Sequence, residues 1–153
     1  MLYWAILLTL ICVFYMMHST KRKRDFQIIQ TPLRSLTDSM LHEKYPILVH
    51  DYIEDVAPIV KTAFRFQYLF MSKPSVQEGV VTEVRTRFLL IHNQTESEAQ
   101  AQIGPDESTL IPITLDSKNL LILPAGWTVE IEAIHSFSLL ALNDLSHRLF
   151  FAH

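Results

Sequence analysis

Hydrophobic and polar positions divide the chain into an apolar head and a body of short alternating segments. Residues 1–17, MLYWAILLTLICVFYMM, carry no charge, and Thr9 is their one ordinary polar residue. No face of this run is polar, which argues against an amphipathic helix packed on a protein surface. At 1.5 Å per residue it measures about 26 Å as a helix, and it predicts an N-terminal transmembrane helix, with an anchor over 1–20. Tyr3, Trp4 and Tyr15 lie near its ends, where aromatic rings favour the headgroup layers. A cleaved signal peptide fits less well, because no basic residue precedes the run and no small-x-small site follows it.

A basic collar and stalk over 21–34 leads to a body over 35–153. FQIIQTP, 26–32, reads as a short strand or extended segment ended by Pro32. SLTDSMLHEKY, 35–45, places Ser35 and Asp38 in capping-box spacing and predicts a short helix. ILVH, 47–50, is a buried strand. In DYIEDVAPIVKTAF, Asp51 and Asp55 are candidate caps, Val56, Ile59, Val60 and Ala63 share a helical face, and Pro58 suits a first turn. From Phe64 the period becomes two: FRFQYLF puts Phe64, Phe66, Tyr68 and Phe70 on one side of a strand. Residues 80–93 alternate for longer than one strand commonly runs, so a bend or bulge is expected there. QTESEAQAQIGPDES reads as a polar, exposed excursion. TLIPITL, NLLILPAGW, TVEIEAI, FSLLAL and RLFFAH are short β segments. The expected fold is mainly β (α+β): an antiparallel sandwich or half-open barrel preceded by two short helices.

Charge sharpens the division. Lys21, Arg22, Lys23 and Arg24 follow the apolar run directly, which places the remaining chain on the cytosolic side and the four cations among lipid headgroups. Thirteen Lys and Arg less these four leave nine against sixteen Asp and Glu, a net of −7 for the rest. That balance excludes nucleic acid as an expected partner. The single cysteine, Cys12, lies in the apolar run, so no intrachain disulfide forms and the body must stand on its core. The sequon NQT at Asn93 is read as a chance match on the cytosolic side.

The order of EKYPILVHDYI, an aromatic strand pair and the late LLILPAGW resembles the cupin and JmjC-like layout, over roughly residues 35–152. Cupins of that kind carry a His-x-His or His-x-Asp/Glu pair on an early strand and a third His after the Pro-x-Gly turn or on a later strand. Here Gln94 stands two residues after His92, and Val129 three after Gly126. His92, Glu96 and His135 form a weak alternative metal set, two imidazoles and a carboxylate suited to iron. No catalytic residue, metal or cofactor is expected, and no small-molecule substrate is evident. The anchor, collar and reduced cupin-like domain together resemble small membrane-anchored virion proteins of nucleocytoplasmic large DNA viruses, minor capsid or membrane proteins. The resemblance implies a non-enzymatic structural protein in the internal membrane of the virion, linking it to the inner face of the capsid shell. Its implied partners are the lipid bilayer and capsid or other membrane proteins. Leu149, Phe150 and Phe151 are a candidate interface if RLFFAH projects from the sheet. The competing readings are a membrane-anchored iron/2-oxoglutarate-dependent oxygenase and a cellular single-pass membrane adaptor.

Overall fold

The computed structural model describes residues 2–18, 26–64, 69–144 and 147. Helix α1 (Leu2–His18) is the apolar head. Among the described residues no helix is long and apolar enough to cross a membrane. The 17 residues of α1 span about 26 Å, against roughly 30 Å for a typical hydrocarbon core. The expected transmembrane helix is thus left without support among the described residues, where α1 is an apolar helix shorter than an ordinary span.

The body begins with strand β1 (Ile29–Pro32), a 3-10 turn at Leu33–Ser35, helix α2 (Asp38–His42), strand β2 (Ile47–His50) and helix α3 (Ala57–Ala63). β1 lies parallel to β2, with Ile29 opposite Ile47 and Pro32 opposite His50, so residues 29–32 of the expected stalk belong to the sheet. Pro32 is tolerated because β1 is an edge strand. Helix α2 is shorter than the 35–45 expected. Leu36 is extended and buried, which ends the 3-10 turn, and Thr37 rather than Ser35 takes the cap position. In α3 the Asp55 carboxylate accepts the Ala57 N–H at 2.9 Å, Pro58 sits in the first turn, and Ile59 and Ala63 are buried.

Eight further strands follow: β3 (Leu69–Ser72), β4 (Thr82–Glu83), β5 (Phe88–Asn93), β6 (Ala99–Gly104), β7 (Ile111–Leu115), β8 (Leu120–Pro124), β9 (Thr128–Glu130) and β10 (Phe137–Asp144). One sheet has the order β1-β2-β8-β5-β10-β3, the other β4-β9-β6-β7. The bend expected within 80–93 is a crossing between sheets: β4 lies in the smaller sheet and β5 in the larger. The polar excursion expected over 94–108 is corrected at its centre, where Ala99–Gly104 form β6, while 96–98 and 106–108 are exposed. β6 pairs with both β7 and β9, and Ala101 and Ile103 face the core. Of the strand expected at 64–70, Leu69 and Phe70 lie in β3 and Phe64 is extended, while 65–68 lie outside the described residues.

Two apolar layers hold the body together. Leu89, Ile91, Leu121 and Leu123 of the larger sheet meet Ala101, Ile103, Leu115 and Val129 of the smaller one. On the opposite face of the larger sheet, Val49, Phe88, Leu90, Leu120 and Ile122 pack against Leu41, Tyr52, Ile59 and Ala63 from the helical layer. β5 and β8 are therefore buried at every position, which explains their unbroken apolar runs.

Candidate functional site

The Pro124–Trp127 turn is bonded to several distant segments of the fold. Gly126 adopts φ +86°, a left-handed conformation that favours glycine. Its N–H donates to the Val84 carbonyl at 2.8 Å, the Val84 N–H donates to the Trp127 carbonyl at 2.7 Å, and the Ala125 N–H donates to the Arg87 carbonyl at 3.1 Å. The indole Nε1–H donates to the Lys44 carbonyl at 2.9 Å, and the Phe26 ring meets the Trp127 ring edge-on at 5.8 Å. One turn thus fastens the segment after α2, the β4–β5 crossing and the residue that leads into β1. Lys44 itself holds φ +60°.

Beside this turn lies a charged and aromatic cluster drawn from distant parts of the sequence. Arg87 forms an ion pair with Asp144, and its guanidinium lies 5.0 Å from the Phe64 ring centre and 5.5 Å from that of Phe88. The Arg87 N–H donates to the Asn143 side-chain oxygen at 2.9 Å, and the Asp144 carboxylate accepts the His147 N–H at 2.7 Å. Burial and the Arg87 guanidinium hold the Lys44 ammonium below the ordinary lysine range. Arg87 therefore ties the crossing to the end of β10, a role that sequence separation conceals.

The residues proposed for metal binding do not meet. Among the described residues, no group of three or more His, Cys, Asp or Glu side chains is gathered so as to hold a metal ion. His92 is buried against the helical layer; its Nε2–H donates to the Ser117 carbonyl at 2.9 Å, and its ring meets Tyr52 edge-on at 4.9 Å. Glu96 and His135 are exposed. Side chains alternate along a strand, so His92 points away from the sheet-to-sheet interior that Ile91 and Asn93 face. That interior is occupied at β9 by Val129, fully buried, with Thr82 opposite it on β4.

Asn93, read from sequence as the head of a sequon, is a completely satisfied buried amide. Its Nδ2 donates to the Ser97 carbonyl at 2.7 Å and the Leu115 carbonyl at 2.8 Å. Its Oδ1 accepts from the Thr95 N–H at 2.9 Å and the Thr95 hydroxyl at 2.7 Å. The folded body does not present this nitrogen to a modifying enzyme. Tyr52, which shields the outer side of the same strand, has its phenol pushed above the ordinary range by burial and then by Asp55 and Glu54.

At the apolar head, Tyr3 and Trp4 are 85% and 71% exposed, and residues 3–13 are exposed on every side of α1. The Thr9 hydroxyl donates to the Ala5 carbonyl at 2.8 Å, one turn back. Tyr15 lies within α1, but its side chain is outside those described. Lys21, Arg22, Lys23 and Arg24, and Leu149, Phe150 and Phe151, lie outside the described residues. No protein-family profile matches this chain, and no curated protein is significantly similar to it.

Proposed function

We propose that this chain is a non-enzymatic scaffold held on a lipid bilayer by α1, with Lys21–Arg24 at the headgroups and the body on the cytosolic side. The carrying observation is α1 itself. Leu7, Leu8, Leu10, Ile11 and Val13 are each about half exposed or more, and among residues 3–13 Thr9 is the one ordinary polar residue. Exposing that much apolar surface on all sides costs several kcal/mol, at about 25 cal/mol per Å². Only an apolar surrounding relieves it.

The body supports a structural role. The orders β3-β10-β5-β8 and β4-β9-β6-β7 make a jelly-roll arrangement, an architecture found among both cupins and viral capsid proteins. Val129 stands after the Pro-x-Gly turn, where a cupin would place a histidine, and apolar side chains fill the surrounding interior. We read the domain as a reduced cupin-like fold that links the internal membrane of a large DNA virus to its capsid shell.

Full-length protein made in cells is expected to stay with membranes through alkaline carbonate extraction. In purified virions, crosslinks are expected to join the body to a capsid-shell protein. Release by carbonate overturns the anchor, and absence of the chain from the virion membrane overturns the viral role.

A further inference from the structure

Strand order sets β1 apart. Among the described strands it alone is both terminal in sequence and terminal in a sheet. β10, the last in sequence, lies between β5 and β3, and the other edge strands, β3, β4 and β7, are joined to the body at both ends. β1 alone can therefore leave by breaking one ladder and turning about one connection. We infer that residues 26–32 form an exchangeable strap, and that the site beside β2 takes the same strap from a second copy of this chain. Three kinds of contact hold the strap: the pairing of β1 with β2, the Ile29 N–H donating to the Pro46 carbonyl at 2.9 Å, and Phe26 edge-on to Trp127. Of its seven residues only Thr31 is buried, whereas β2 buries Ile47, Leu48 and Val49 and is bonded on both sides. The strap can thus open while the rest of the larger sheet stays intact.

The vacated site specifies its occupant. It offers the unpaired edge of β2, the Trp127 ring, an apolar seat for Ile28 on the sheet-to-sheet interior and one for Ile29 on the helical side. A strap from a second copy has the same sequence and the same register, so it restores every one of these contacts. Exchange then changes only the connection between β1 and α2. That connection is short and stiff: Pro32 sits at φ −69°, Leu33–Ser35 form the 3-10 turn, and Leu36 and Thr37 are extended. A short hinge favours reaching to a neighbour over folding back on its own body. A shared bilayer, as proposed above, would raise the frequency of encounter, but the exchange does not require it.

The test uses full-length copies in which Cys12→Ser removes the one native cysteine. One copy carries Gln30→Cys and another, with a tag of different mass, carries Leu48→Cys; these positions are partners in the β1–β2 register. The two are coexpressed and oxidised. A disulfide between the two substituted positions needs the strap of one copy to lie on β2 of the other. The mixed dimer is expected to exceed either like-with-like dimer by about tenfold, since chance collision favours neither. A flexible Gly-Ser-Gly-Ser insertion between Arg34 and Ser35 lets the strap fold back and is expected to lower the mixed dimer about fivefold. The same insertion in a single copy carrying both substitutions is expected to raise its intrachain disulfide. A mixed dimer no more abundant than the like-with-like dimers overturns the exchange, as does one that the longer hinge leaves unchanged. Neither result bears on the anchor, which carbonate extraction tests separately.

Discussion

Replacing Asn93 is expected to weaken the body more than any other single polar substitution in the larger sheet. The side chain is fully buried and uses both donors and both acceptors. Asn93→Ala removes four hydrogen bonds, each with a net value near 1 kcal/mol, and leaves a buried Leu115 carbonyl whose desolvation costs about 1–3 kcal/mol. Some of the groups of exposed Ser97 and half-buried Thr95 return to water, so the expected loss is about 3–5 kcal/mol. For a chain of this size that lowers Tm by roughly 10–15 °C. Asn93→Asp is the sharper test, because it turns two donors into acceptors aimed at the Ser97 and Leu115 carbonyls. It is expected to be worse than alanine at neutral pH. Burial and the two carbonyls raise the pKa of the new carboxyl above its unfolded value, so the folded state binds its proton more readily. Stability is therefore regained as pH falls toward the unfolded pKa, and lost again as pH rises through the folded one. Urea unfolding of the full chain in micelles, followed by far-ultraviolet circular dichroism, reads all three proteins. A loss below about 1 kcal/mol for alanine, or an aspartate variant milder than alanine at pH near 7, refutes the reasoning.

Four further outcomes are expected. Trp127→Phe keeps an aromatic ring but removes the donor to the Lys44 carbonyl and part of the buried indole, and is expected to cost at least about 1–2 kcal/mol in urea unfolding; an unchanged midpoint would show the junction to be held elsewhere. Gly104→Ala places a Cβ against the Thr109 carbonyl oxygen and 2.8 Å from its carbon, so a Tm loss of several degrees is expected, whereas a neutral result would mean that the 105–109 loop gives way freely. Glu54 holds φ +56° without being glycine, and Glu54→Gly is expected to raise stability by about 1 kcal/mol, a gain that thermal unfolding would register. Tyr52 titrates higher in the folded than in the unfolded state, so its contribution is complete below about pH 10 and is lost as pH rises through the folded value. Lys44, shifted down, acts in the opposite sense, so the comparison is with Tyr52→Phe, whose alkaline stability loss should be smaller than that of the parent.

What sequence reveals here depends on whether a residue's role is local. The apolar runs of β5 and β8, the first-turn proline of α3 and the Pro-Ala-Gly turn are local patterns, and each is found where it is expected, whereas Val56 rather than Asp51 or Asp55 takes the cap position of α3. β6 is hidden because its inward residues include the small Ala99 and Ala101, while Gln100 and Gln102 make the segment read as loop. The inward face of β5 cannot be chosen from sequence, since both faces are apolar; hence His92 enters the weak alternative metal set although it packs beneath Tyr52. The Arg87–Asp144 pair joins residues 57 positions apart. Asn93 carries a sequon by chance, because a sequon and a buried turn-forming amide are written with the same letters.

The parallel pairing of β1 with β2 governs how the body bears mechanical load. A pull on the chain at Phe26 acts along the axis of β1, so the rungs from Ile29 to Pro32 are strained together in shear. A hairpin strand peeled from its end would instead surrender its bonds one at a time. A tug on the chain ahead of β1 is therefore met by the stiffer of the two geometries, reinforced by Phe26 lodged on Trp127.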